Sequence, residues 1–170
     1  MSKNSIQNIT LLWDMNKLFE EFIAEIFKRN DEINKNYNVK IQHNKKLFKD
    51  GNKNTSVDIL LENKNNKNKI ILDTKYKECN NISNSSNNDI YQISTYCLIH
   101  GCKKAGLIYP LFTNTNDVDN NLTTNLTTLN VPEKNEEIKI KFITIDLSVN
   151  LKEKIEDIKN DLQARVLDFN

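Results

Sequence analysis

The segment Ile70-Ile71-Leu72-Asp73-Thr74-Lys75-Tyr76 closes an apolar run with an acid and a lysine two residues apart. An earlier apolar run, Val57-Asp58-Ile59-Leu60-Leu61, also contains an aspartate. Both runs are rich in aliphatic and β-branched residues, and the polar tract 62–69 between them is typical of a turn, so we predict two adjacent strands. Residues two apart on a strand face the same way, and Asp73 and Lys75 are therefore expected to project together.

A helix and one more strand are expected before these two strands. Asp14 is a suitable N-cap for a helix that runs to about Arg29. The apolar residues of this segment recur at the spacing of one helix face: Met15, Leu18, Phe19, Phe22, Ile23, Ile26 and Phe27. The alternating segment Val39-Lys40-Ile41-Gln42 begins a further strand, so we predict a three-stranded antiparallel meander.

The second half of the chain predicts a helix, two strands and a final helix. Asp89 is the expected N-cap of a helix that ends at Gly101, and the apolar run before Pro110 predicts a buried strand. Residues 112–137 are too polar to pack and are expected to form a flexible insertion or a loose hairpin. A strand and an amphipathic helix are predicted within residues 138–167.

Together these elements predict an α/β fold, with a mixed sheet of the α+β type. The predicted order is helix, three strands, helix, strand, strand, helix. A chain of 170 residues is about one domain long. We therefore expect a single domain over residues 1–170, with its core at about 12–111 and the C-terminal strand and helix joined to it by the polar insertion.

Composition sets broad limits on function. Lys and Arg total 24 against 23 Asp and Glu, so any nucleic-acid surface must come from local segregation of charge. The cysteines Cys79, Cys97 and Cys102 have no metal-site spacing, and the N-terminus lacks the apolar segment of a signal peptide. No apolar stretch approaches the roughly 20 residues that cross a bilayer. We predict a cytoplasmic protein with reduced thiols and no membrane partner.

The two aspartates and the lysine suit phosphodiester hydrolysis. A divalent cation activates water, neutralises charge on a phosphate and assists the departing oxygen. Mg²⁺ prefers hard oxygen ligands and keeps several waters, so Asp58, Asp73 and the backbone carbonyl of Thr74 are sufficient candidate ligands. Lys75 is expected to orient or deprotonate the attacking water and to stabilise transition-state charge. The sequence thus suggests a metal-dependent nuclease that uses Mg²⁺ or, in its place, Mn²⁺.

Simpler interpretations of the same residues stay open at this point. Asp58 would also suit a turn cap, and Asp73 with Lys75 would suit a solvated ion pair. Glu20, on the inner part of the first helix, fits either support of the metal site or ordinary surface solvation. Gln92 and Tyr96 lie four apart on one face of the second helix, so their amide and phenol point the same way, although tyrosine is more often a core residue.

A series of short motifs between residues 12 and 110 carries a family resemblance. The motifs are Met15-Asn16-Lys17-Leu18-Phe19-Glu20-Glu21-Phe22, Gln42, Val57-Asp58-Ile59, Leu72-Asp73-Thr74-Lys75-Tyr76-Lys77, Asp89-Ile90-Tyr91-Gln92 and Leu107-Ile108-Tyr109-Pro110. In this order they resemble the nuclease domain of McrC, the cleaving subunit of the McrBC modification-dependent restriction systems. That domain belongs to the PD-(D/E)XK nuclease superfamily.

The resemblance implies a fold and a set of residue roles. It implies a PD-(D/E)XK restriction-endonuclease-like core of helix, three strands, helix and strand. Its cleavage centre would be Asp58, Asp73 and Lys75, with Glu20 as an accessory acid and Gln92 beside the site. Gln42 and Tyr96 are then expected close to the DNA. Val57 replaces the proline that precedes the first aspartate in the superfamily, a position that supplies no ligand.

The resemblance also implies a system and a partner. The expected function is Mg²⁺-dependent DNA cleavage in phage defence, with an AAA+ GTPase of the McrB type. The chain has no Gly-x-x-x-x-Gly-Lys-Ser/Thr loop, so the motor and the targeting of methylated DNA would come from that partner. McrC proteins carry a sizeable N-terminal region that engages McrB, whereas about a dozen residues precede the motif helix here. A stand-alone domain, a truncated or split gene product, or a different partner would each explain this difference.

Other functions remain as alternatives to DNA cleavage in a restriction system. One is a non-cleaving DNA-binding or regulatory module, and another is a PD-(D/E)XK nuclease of a repair or junction-resolving type. Cutting both strands of DNA requires two active centres. Dimerisation or paired complexes are therefore expected for the nuclease.

Overall fold

The computed structural model describes residues 13–79, 85–111, 124–131 and 136–169. Its elements in chain order are α1 (Met15–Lys28), α2 (Asp31–Asn36), β1 (Tyr37–Lys46), β2 (Asn54–Asn63), β3 (Lys69–Thr74), α3 (Asn87–His100), β4 (Lys104–Leu111), β5 (Thr124–Val131), β6 (Glu136–Asp146) and α4 (Leu151–Leu167). Every element predicted from the sequence is present in the predicted order. The short helix α2 and the strand β5 are additions to that order.

The strands form one mixed sheet with the order β1-β2-β3-β4-β6-β5. β1, β2 and β3 pair antiparallel, which confirms the predicted meander. β3, β4 and β6 pair parallel, and α3 makes the crossover from β3 to β4. The predicted α/β fold with a mixed sheet is therefore confirmed.

Helices cover both faces of the sheet. The first apolar cluster lies on the face of α1 and α4 and includes Phe19, Ile23, Phe27, Ile59, Leu72, Leu162 and Val166. The second cluster lies on the face of α3 and includes Val57, Leu60, Ile71, Ile93, Cys97, Leu107 and Tyr109. β3 is thus buried on both faces, as its continuous apolar run requires.

The helix ends show two correct predictions and one wrong one. Asp14 caps α1, because its Oδ1 accepts hydrogen bonds from the backbone N–H groups of Asn16 and Lys17 at 3.1 and 3.2 Å. The N-cap of α3 is Ser86 rather than Asp89, since the Ser86 hydroxyl accepts from the Asn88 N–H. α3 ends at Gly101 as predicted, and this glycine has a left-handed conformation with φ 64°.

The polar tract contains more regular structure than its composition suggested. Thr124–Val131 pairs antiparallel with β6, which corresponds to the hairpin alternative. Leu129 and Val131 pack against the second apolar cluster, and these alternate residues anchor an otherwise polar strand. The segments 112–123 and 132–135 of the predicted insertion lie outside the described residues. Within the described ranges, no helix is long and apolar enough to span a membrane.

Candidate active site

Asp58 and Asp73 lie where β2 and β3 stop pairing. The last pair of the β2–β3 ladder on this side is Ile59 with Leu72, so both aspartates stand just beyond it. Asp58 Oδ2 accepts hydrogen bonds from the backbone N–H of Thr74 at 2.7 Å and from its hydroxyl at 2.8 Å. The Asp58 carboxylate therefore takes the place of a strand partner and fixes the end of β3.

The side-chain alternation of β2 breaks at Asp58. Val57 packs in the second apolar cluster and Ile59 in the first, although residues two apart on a regular strand face the same way. Asp58, between them, is directed at neither cluster and reaches the end of β3 instead. This local irregularity brings the first acid to the site.

Asp73 is a buried acid whose surroundings favour its protonated form. Its side chain is 3% exposed, and Oδ2 lies 2.6 Å from the Lys75 ammonium. Burial and the negative charge of Asp58 raise the pKa of Asp73 to about 6, even though Lys75 acts in the opposite direction. Oδ2 accepts no well-directed hydrogen bond from any described residue, so the ion pair with Lys75 is its polar contact there.

Lys75 is held in place at its backbone and at its ammonium. Its N–H donates to the Ile108 carbonyl at 2.9 Å, which extends the pairing of β3 with β4 by one residue. Its Nζ donates to Gln92 Oε1 at 2.9 Å. Burial lowers the pKa of Lys75, but the charges of Asp73 and Asp58 outweigh it and the pKa is raised. Lys75 is therefore a protonated ammonium at neutral pH.

α3 supplies two residues to the same site, and their side chains face the same way, as their spacing predicted. Gln92 Nε2 donates to the Tyr96 hydroxyl oxygen at 2.7 Å, while the carbonyl oxygen of Gln92 accepts from Lys75. Lys75, Gln92 and Tyr96 thus form one hydrogen-bonded chain. Burial raises the pKa of the Tyr96 phenol, which stays neutral.

Glu20 and Gln42 also come together beside the aspartates. Gln42 Nε2 donates to Glu20 Oε1 at 3.0 Å, joining the edge strand β1 to α1. Glu20 lines the cleft that holds Asp58, Asp73, Lys75, Gln92 and Tyr96, which has a volume of about 330 Å³. The predicted site residues therefore line one cleft, except Gln42, which contacts it through Glu20.

A second set of charged residues in the cleft was not predicted as part of the site. Lys77 lines the cleft, and its Nζ lies 2.6 Å from Asp89 Oδ2. The same oxygen accepts a hydrogen bond from the hydroxyl of the buried Tyr109 at 3.0 Å. Asp89, expected to cap a helix, is instead a buried counter-ion. A signal was present in the sequence, because Lys77 follows Lys75 at the spacing that repeats a side-chain direction on a strand.

The residues of the cleft fit a hard divalent cation. Asp73 Oδ2 is buried without a directed donor, and a cation there would favour the ionised form that burial opposes. The Thr74 N–H points at Asp58 while the Lys75 N–H points at β4, so strand alternation directs the Thr74 carbonyl toward Asp58. Among the described residues, no three His, Cys, Asp or Glu side chains form a ready-made metal cluster. Two carboxylates, a carbonyl and waters suit Mg²⁺.

Comparisons with known proteins give two matches. A family described as "McrBC 5-methylcytosine restriction system component" matches residues 1–110. In structure, the chain is similar to a chain of the half-complex from the tetradecameric assembly of Thermococcus gammatolerans McrB AAA+ hexamers with bound McrC, with TM-score 0.60 and 17% identity. That likeness covers 89% of this chain and 33% of the other, so this chain spans about a third of its length, and at this identity it shows the fold. None of the curated proteins compared with the chain matches it.

Proposed function

Since the chain belongs to the family of McrBC 5-methylcytosine restriction system components, as its motifs predicted, we propose that it is a Mg²⁺-dependent DNA endonuclease of the McrC type. The observation that carries this proposal is the convergence of Asp58 and Asp73 on one cleft, with the Lys75 ammonium 2.6 Å from Asp73. Two acids and a lysine at the end of adjacent strands supply cation ligands and a fixed positive charge in one small volume.

The proposed ligands of Mg²⁺ are Asp58, Asp73 and the Thr74 carbonyl, and Mn²⁺ is expected to substitute. When bound, the cation supplies a polarised water and neutralises charge on the scissile phosphate. Burial of Asp73 places its carboxylate where few competing donors reach it. The Asp58 hydrogen bonds to Thr74 tie Asp58 to the end of β3 beside Asp73, where both acids would face the same phosphate.

Lys75 acts in this proposal as a cation rather than as a base of the resting enzyme. The charges of Asp73 and Asp58 keep its ammonium protonated. An ammonium at this position donates to the attacking water or to a phosphate oxygen and stabilises the charge that develops there. Gln92, itself oriented by Tyr96, fixes the direction of the ammonium. Glu20 and Gln42 would act at the rim, toward the DNA.

The proposed partner is an AAA+ GTPase of the McrB type. The structure to which this fold is similar contains McrB AAA+ hexamers with bound McrC, and this chain spans about a third of the matched chain. Because the sequence lacks a phosphate-binding loop of the Walker type, GTP hydrolysis and targeting of methylated DNA are assigned to the partner. With DNA as its substrate the protein would act in the cytoplasm, and double-strand cutting would pair two such centres.

Two measurements on the same preparation test this proposal. The first is calorimetric titration with Mg²⁺ and Mn²⁺ in the presence of DNA, and the second is nicking of supercoiled plasmid. We expect metal binding by the wild-type chain, its loss in Asp58→Asn, and nicking that EDTA abolishes. Absence of metal binding and of nicking would overturn the proposal and favour a non-cleaving regulatory module. Cleavage confined to branched DNA would instead indicate a repair-type nuclease.

A further inference from the structure

A second lysine of the cleft, Lys77, is anchored to a carboxylate that the protein core fixes. The Asp89 side chain is 8% exposed, and its Oδ2 lies 2.6 Å from Lys77 Nζ. Tyr109, which is fully buried, donates its hydroxyl hydrogen to the same oxygen at 3.0 Å. The position of the Lys77 ammonium is therefore set by α3 and β4, although Lys77 itself lies after the end of β3.

The backbone before Lys77 is fixed as well. The Lys77 N–H donates to the Lys75 carbonyl at 2.9 Å, which closes a three-residue turn. Between the two lysines, the Tyr76 ring packs against Phe19, with centroids 5.8 Å apart. The turn therefore presents Lys75 and Lys77 to the same cleft while Tyr76 anchors it to α1.

The two lysines differ in how much of their ammonium is available. The Lys75 side chain is 20% exposed and contacts both Asp73 and Gln92. The Lys77 side chain is 43% exposed, and its charge is shared with a carboxylate oxygen that also accepts from Tyr109. An ammonium carries three donors, so Lys77 keeps N–H groups that can face a ligand in the cleft.

We propose that Lys77 is a phosphate-binding residue of the cleft, which grips the DNA backbone beside the cleavage centre, and that Asp89 and Tyr109 are its positioning residues. This inference rests on the proposed function. Lysine binds phosphate as a point charge, and contacts of this kind fix the register of the DNA without reading its sequence. The anchored ammonium has little conformational entropy left to lose, so binding of a phosphate costs less than it does for a mobile surface lysine.

The salt dependence of DNA binding tests this assignment. Fluorescence anisotropy with a labelled double-stranded oligonucleotide in EDTA gives the dissociation constant across a range of salt concentrations, without cleavage. Loss of one phosphate contact reduces the slope of log affinity against log salt by about 0.9. We expect this reduction in Lys77→Met and an unchanged slope in Lys77→Arg. Lys67→Met is the matched control, because Lys67 is exposed in the turn between β2 and β3, at the opposite end of β3 from Asp73.

The positioning residues have a different expected signature. Asp89→Asn keeps the Lys77 charge but loosens its anchor, so affinity should fall several-fold with the slope unchanged. If Lys77→Met does not fold, the double variant Lys77→Met/Asp89→Asn is used instead, because it also removes the buried Asp89 charge left without its lysine. We expect the same reduction of the slope in this double variant. If the wild-type protein binds DNA and Lys77→Met shows the same salt slope, the assignment of Lys77 is wrong while the proposed function stands. Wild-type protein that binds no DNA at any salt concentration contradicts the proposed function as well.

Discussion

Gln42 lies opposite Asp58 in the β1–β2 register. At these two positions both strands change the direction in which their side chains point. The ladder pairs Ile41 with Ile59 and His43 with Val57, but the intervening residues do not pair, and Gln42 has a left-handed backbone with φ 46°. Ile41 packs against the first apolar cluster, whereas the His43 ring contacts His100 at the end of α3. The shared irregularity turns Asp58 toward β3. Strain of this kind in a non-glycine residue is typical of functional sites.

Substitutions at Gln42 should reveal this backbone strain. Both Gln42→Gly and Gln42→Ala lose the contact with Glu20, but glycine adopts φ near 46° without the steric penalty of a Cβ atom. We expect Gln42→Gly to be more stable than Gln42→Ala by about 1 kcal/mol in urea unfolding. At Asn44, an exposed residue of the same strand that pairs with Ser56, the order should be reversed by about 0.5–1 kcal/mol. Equal stability of the two Gln42 variants would show that the backbone at Gln42 is not strained.

Asp73 should make the stability of the fold depend on pH. Its pKa rises from the usual 3.8 to about 6 on folding, so the folded protein holds this proton more tightly than the unfolded chain does. The contribution of Asp73 to the free energy of unfolding therefore falls as pH rises from about 4 to about 6. At about 1.36 kcal/mol for each pH unit, the loss is about 3 kcal/mol. The free energy of unfolding, measured in urea at pH 4 and pH 7, should show this loss in the wild type and not in Asp73→Asn.

Mg²⁺ provides a second test of the Asp73 prediction. At pH 7 it should stabilise the wild-type protein, because it binds the ionised folded form, and EDTA should reverse the effect. Asp73→Asn should show little stabilisation by Mg²⁺. Asp157→Asn is the control for removal of a carboxylate, since Asp157 is exposed on α4. A stability difference between wild type and Asp73→Asn that is the same at both pH values would contradict the account.

The hydrogen-bonded chain from Lys75 through Gln92 to Tyr96 predicts a graded loss of nicking activity. Lys75→Ala removes the charge and should lower the rate by about 10²–10³-fold. Gln92→Ala removes the group that orients the ammonium and should cost about tenfold, equivalent to one charge-assisted hydrogen bond. Tyr96→Phe removes only the acceptor of the Gln92 amide, so a loss of several-fold is expected. A larger effect of Tyr96→Phe than of Lys75→Ala would reverse this order.

Periodicity predicted most of the fold because its signals are local. The apolar spacing of α1, the Asp14 cap, the continuous apolar run of β3 and the Gly101 stop each depend on residues within a few positions of one another. The placement of one acid on each of the two adjacent strands β2 and β3 also follows from two strands joined by a short turn. These features were correctly anticipated from the residues themselves.

The features that escaped prediction depend on contacts between distant segments. Aspartate is a residue type typical of helix N-caps, but Ser86 takes that role in α3. Asp89 contacts Lys77 and Tyr109 instead. The irregularity at Gln42 has no local signal, because nothing in an alternating strand marks a left-handed residue. Such contacts are set by tertiary packing, which a periodic pattern does not report.

The role of Asp73 in cleavage is tested by nicking of supercoiled plasmid DNA with Mg²⁺ under single-turnover conditions, with wild type, Asp73→Asn and Asp157→Asn compared. We expect equal nicking by wild type and Asp157→Asn, and a loss of at least about 10³-fold in Asp73→Asn with an unchanged circular dichroism spectrum. Nicking by Asp73→Asn at the wild-type rate, with the same dependence on Mg²⁺, would contradict this role.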